Sequence, residues 1–143
     1  MNKIYISQAL PSKEYLELLG TALCVFNANN AFIIENILHV SDQDDWYILM
    51  DSNYQKLKKK VRQIIANQYG FDEIANLYDD LVQRRGRIVH SFQITDCKGD
   101  QILATKTPKK EGHQQFIIDE SYLMDFIKSN DDLSKLLHSF RGY

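Results

Sequence analysis

The sequence predicts a mainly α-helical fold, a four-helix bundle with a small antiparallel β-meander before its C-terminal helix or helices. Three observations lead there. Apolar residues recur at helical spacing through three successive segments between residues 12 and 90. Between residues 92 and 118 the pattern changes to short alternating runs divided by glycine and proline turn signals. The chain has 143 residues, 44% of them hydrophobic and 25% charged, which suits one globular domain rather than a disordered chain.

The first helix is expected from about 12 to 39. Pro11 and Ser12 precede it, and Ser12 is a residue type whose hydroxyl can accept from a free N–H of the first turn. Tyr15, Leu19, Ala22, Phe26, Ile33 and Ile37 fall on one face of it. Asn29 and Asn30 lie at the edges of that face, and a buried amide left unpaired costs about 1 to 3 kcal/mol. They either bond each other and the backbone or line a polar cavity.

Ser41 to Trp46 interrupts the period and reads as a loop or short turn. A second helix follows from about 53 to 69, with Tyr54, Leu57, Val61, Ile64 and Ile65 inward and Lys56, Lys58, Lys59, Lys60 and Arg62 mostly outward, and Gly70 stops it. The third is expected from 72 to 90, capped by Asp72, with a seam of Ile74, Leu77, Tyr78, Leu81 and Ile88 that Val89 and Phe92 continue. The meander covers 92 to 118. Helix returns from about 119 to 140 as two short pieces or one kinked one. Without repeat, linker or low-complexity segment, residues 1–143 form a single domain, with 1–11 an N-terminal arm and 92–118 an elaboration.

The beginning of the chain lacks the apolar core of a secretory signal, and no unbroken apolar run reaches the roughly 20 residues of a membrane span. Cys24 and Cys97 share no metal or redox spacing and read as two free thiols. A cytoplasmic location without membrane association is therefore expected. A net charge of −2 gives no global attraction to nucleic acid, so any such binding has to use a local basic patch. Glycine-rich phosphate loops, nucleophile elbows and zinc-protease motifs are absent, and the four histidines are scattered, so no cofactor and no metal is expected.

What stands out is Leu-Val-Gln-Arg-Arg-Gly-Arg-Ile-Val-His-Ser-Phe from Leu81 to Phe92, where three arginines precede a histidine. It resembles the signature of the HEPN family (higher eukaryotes and prokaryotes nucleotide-binding domains), small helical bundles in which a histidine follows an arginine by four to six residues. The matching residues are Arg85 and His90, or Arg84 and His90 at the longer spacing, and the order of helices around them is similar too.

The resemblance implies an RNA-associated protein whose motifs pair across a homodimer interface. One reading is a metal-independent endoribonuclease of the toxin or phage-defence type. There Arg85 and His90 are catalytic, while Arg84, Arg87 and Lys59 bind RNA. An imidazole titrating near pH 6.5 exchanges protons at neutral pH, and a guanidinium fork stabilises charge gathering on phosphorus. The other reading is a non-catalytic module that recognises RNA or a cognate protein, with Tyr5, Trp46, Tyr47 and Tyr143 as aromatic anchors. Gly86 follows the motif arginine where RNA-cleaving members commonly carry asparagine or aspartate. On an ideal helix, residues five apart point about 140° apart. Arg85 then sits on the seam and His90 opposite, so convergence requires the helix to distort at Gly86. A purely structural role is the alternative for Arg84 and Arg87: last-turn cations that favour the negative end of the helix dipole, with Asp79, Asp80 and Gln83 in reach.

Overall fold

A computed structural model describes residues 8–142. Its elements are α1 (Lys13–Val40), α2 (Trp46–Asp51), α3 (Tyr54–Val61), α4 (Asp72–Val89), β1 (Phe92–Thr95), β2 (Gln101–Lys106), β3 (Gln115–Ile118) and α5 (Glu120–Arg141). Mainly helical, with one three-stranded antiparallel sheet ahead of the last helix, the chain has the expected fold class. Tyr5 and Tyr143 lie outside the described residues.

Side-chain caps start four of the five helices. Ser12 accepts from the Tyr15 N–H, Asp45 from those of Tyr47 and Ile48, Asn53 from that of Lys56, and Asp119 from that of Tyr122. The expected loop is present from 41 to 45, and the Asp45 cap explains the helix that follows it, in a stretch given no element from sequence: with its first N–H groups satisfied, six residues suffice to form α2. Asp72, expected to cap α4, is instead its first residue, and no side chain caps that end.

From Arg62 to Gln68 the helix of α3 widens into a π-helical stretch, and three consecutive residues, Ile64, Ile65 and Ala66, are buried there. A left-handed Gly70 ends it, donating to the Ala66 carbonyl.

Orientation follows from cross-helix partners. Phe26 meets Phe126, Asn29 donates to Asn130 and Phe32 meets His138, so α1 and α5 run parallel. Phe26 also stacks on Tyr78, while Asn30 accepts from the Tyr78 hydroxyl at 2.6 Å. α5 is one unbroken helix, not two pieces. The polar run Ser129 to Asp132, which reads as a break, turns Asn130 into the core at 1% exposure, where its amide donates to the Phe126 carbonyl.

The core gathers Tyr15, Phe26, Ile33 and Ile37 of α1 with Leu57, Ile65, Ile74, Tyr78, Leu81, Leu123, Phe126 and Leu133. Val89 and Phe92 leave the expected seam and are exposed. In the sheet, Leu103 pairs with Ile118 and Ala104 with Phe92 and Ile117. Tyr15 ties this sheet to the bundle: its hydroxyl donates to the Ile118 carbonyl and accepts from the Leu103 N–H. By length and composition alone Lys13–Val40 is long and apolar enough to cross a bilayer, contrary to the expectation from unbroken runs. In the fold its apolar stripe is a wall of the core.

Tyr15→Phe should lower unfolding free energy by about 1 to 3 kcal/mol, because it leaves a buried carbonyl and N–H without their shared partner. A urea midpoint equal to wild type would contradict this. Burial raises the pKa values of Tyr15, Tyr78 and Tyr122. Below about pH 10 both folded and unfolded chains hold these protons; above it the unfolded chain ionises first. Stability should therefore fall as pH rises past about 10, and Tyr78→Phe should flatten that fall in a pH series of thermal melts.

Candidate functional site

The motif lies at the foot of α4, facing α3. Tyr54 and Lys58, four residues apart, share one edge of α3. Opposite them Asn76, Gln83, Arg85 and Gly86 line the α4 wall, and together with His90 they bound an open cleft of about 780 Å³. Arg85 and His90 thus belong to the same cleft.

The distortion at Gly86 on which convergence of the two side chains was expected to depend is absent. α4 stays helical through Val89, and only at His90, its C-cap residue, does the backbone leave helical values, at φ −98° and ψ 22°. The cap N–H still donates to the Gly86 carbonyl at 2.9 Å. The cleft is wide enough to reach from the half-buried Arg85 to the exposed His90 at the end of the helix.

The three arginines have different surroundings. Arg84 is neutralised: it contacts Asp80 at 2.6 Å and lies 5.7 Å from the centre of the Phe126 ring. Its buried Nε has no hydrogen-bond partner among the described residues. Arg87 lies 5.5 Å from the centre of the Phe116 ring, and its charge offsets part of the burial that raises the Tyr122 pKa. Arg85 sits 4.6 Å from the centre of the Tyr54 ring and 5.7 Å from that of Phe26, and has no carboxylate partner among the described residues. The cleft's own acids are already matched, Asp79 to Arg62 at 2.9 Å and Asp80 to Arg84. An anion entering the cleft would meet an uncompensated guanidinium resting on two ring faces, with Lys58 and His90 on the same walls.

Of the sequence candidates, then, Arg85 and His90 line the same cleft, and Arg84, Arg87 and Lys59 do not. Lys58, not Lys59, lines it. The cavity candidates Asn29 and Asn30 are ties between helices: Asn29 donates to the backbone and side-chain oxygens of Asn130 at 2.7 and 3.0 Å, and Asn30 accepts from Tyr78. Tyr54 and Lys58 were missed as site residues although their spacing signals a shared face. Helical spacing places Tyr54 inward, whereas it is half-buried. Among the described residues no group of three or more His, Cys, Asp or Glu side chains is placed to hold a metal ion.

Compared with known family models, curated proteins and solved structures, the chain matches none.

If Arg85 is the anion-facing cation, inorganic triphosphate should raise the thermal midpoint of wild type, by about 2.7 kcal/mol of stabilisation at a hundredfold excess over Kd. Arg85→Ala should abolish this response and Arg84→Ala should keep it. Equal responses from the two variants would place the anion elsewhere.

Proposed function

We propose that this chain is an RNA-associated HEPN-like protein: a cytoplasmic homodimer that cleaves single-stranded RNA slowly, without a metal ion, using Arg85 and His90. The observation that carries the reading is the uncompensated Arg85 guanidinium sharing one cleft with His90, while the acids of that cleft are paired elsewhere.

In the reaction, unprotonated His90 takes the proton of a ribose 2′-hydroxyl. The 2′-oxygen bonds to the adjacent phosphorus as the bond to the 5′-oxygen breaks. The leaving oxygen takes a proton from water, and the products are a 2′,3′-cyclic phosphate and a 5′-hydroxyl end. Arg85 stabilises the charge that accumulates on the non-bridging oxygens, and Lys58 holds a neighbouring phosphate as a point charge. Gly86 supplies no polar side chain beside Arg85, which is why the rate is expected to be low.

A second reading has its own observation. Trp46, Tyr47, Ile48 and Met50 are all exposed on α2, a concentration of large apolar side chains that favours a protein-binding or regulatory module. The two readings separate on a labelled single-stranded RNA in the presence of chelator. Slow cleavage by wild type, reduced by about 10² to 10⁴ in His90→Ala and lost in Arg85→Ala, with DNA untouched, supports the nuclease. RNA that survives wild type and His90→Ala alike would leave the binding module as the function.

A further inference from the structure

α2 has only six residues, and Leu49 alone is buried. Tyr47 is 72% and Ile48 68% exposed, with Trp46 and Met50 beside them at 45% and 43%. At about 100° per residue, Asp51 falls between Tyr47 and Ile48 on the outward arc. An occupant of this surface therefore has to cover two apolar side chains and neutralise a carboxylate between them.

The chain itself carries that complement. Residues 41–51 hold Asp42, Asp44, Asp45 and Asp51 and no lysine or arginine, whereas residues 54–62 hold Lys56, Lys58, Lys59, Lys60 and Arg62 and no acid. Within one chain, Lys60 reaches back to Asp44 at 2.8 Å and Arg62 to Asp79. Among the described residues, Lys56 and Lys59 remain exposed on the outer face of α3 without a carboxylate partner, and Asp51 remains exposed without a cation. An apolar helix that ends on one unpaired carboxylate, Asp51, and is followed after two residues by a basic helix can be self-complementary under a twofold rotation, the usual symmetry of a dimer.

We infer that α2 is the contact between two copies of this chain, its Tyr47 and Ile48 packing against the second copy and its Asp51 pairing with Lys56 or Lys59 of that copy. The lysine stems cover aromatic surface while their ammonium groups meet the ring faces and the carboxylate. The contact adjoins the cleft, because Tyr54, the first residue of α3, is three residues from Asp51. The inference rests on the paired-copy part of the function proposed above, but its surface is independent of the cleft chemistry.

Sedimentation of the full chain at tens of micromolar tests it. Wild type should show the mass of two chains, and Ile48→Glu and Tyr47→Glu that of one, with unchanged helical circular dichroism because both positions face solvent. Asp51→Lys should weaken the dimer at least tenfold, and adding Lys56→Glu and Lys59→Glu to it should restore most of the loss. With Cys24 and Cys97 replaced by serine, Ile48→Cys should form a covalent dimer on mild oxidation. Wild type sedimenting as one chain overturns the inference, even if α2 captures a different protein, and so does a dimer that Ile48→Glu leaves intact. Cleavage is scored separately: loss of the dimer in Ile48→Glu, with no RNA cut by wild type, keeps this surface and discards the nuclease.

Discussion

The Phe26 ring is the point on which the bundle and its cleft both depend. It stacks on Tyr78 of α4 and Phe126 of α5, meets the edge of Tyr54 of α3, and lies 5.7 Å from the Arg85 guanidinium. One side chain of α1 thus fixes the spacing of every other long helix. Each aromatic pair contributes about 0.5 to 1.5 kcal/mol beyond simple burial. The larger consequence is positional. Arg85 rests on two rings that the core holds in place, so its charge is oriented before any ligand arrives. An exposed ion pair, worth about 0 to 1 kcal/mol, would hold it less firmly and would also cancel the charge. The contrast with Arg84, one residue earlier and neutralised by Asp80, shows how two adjacent arginines acquire different chemistry from their neighbours alone.

Parallel alignment of α1 and α5 needs its own register, because apolar faces slide with little penalty. The Asn29 amide supplies it by donating to both the backbone and side-chain oxygens of Asn130. A slip by one turn would strand that amide at about 1 to 3 kcal/mol, more than a small change in apolar packing returns. Asn30 does the same between α1 and α4 through the Tyr78 hydroxyl. Polar residues on the core face of α1 therefore select one arrangement among several that hydrophobic burial would allow.

The long helices and the meander were legible because each repeats its pattern over several turns or strands. α2 was not: six residues complete fewer than two turns, so no period can emerge, and four large apolar side chains facing solvent defeat an inward-facing rule. α5 looked broken because Ser129, Asn130, Asp131 and Asp132 resemble a loop until Asn29 is known to need a partner. In the site, residue types named Arg85 and His90, but the ionic matching that leaves Arg85 uncompensated depends on Arg62 and Asp79, 17 positions apart in the chain. Local sequence carries no trace of such a pairing. α4 keeps its helical form past Gly86 and departs from it only at the His90 cap, so the bend that residue types suggested at Gly86 is not made.

The parallel pairing of α1 with α5 also dictates when the molecule can become complete. Asn29 and Asn130 are 101 positions apart, and drawing such distant points of a chain together costs about 4 kcal/mol of loop entropy before any contact compensates. During vectorial synthesis the faces of Phe26 and Asn29 on α1 emerge well before α5, the helix that covers them. A ribosome stalled before residue 120 therefore holds a chain in which α1 can already meet Tyr54 and Tyr78, while the flank that carries Asn29 still waits for α5.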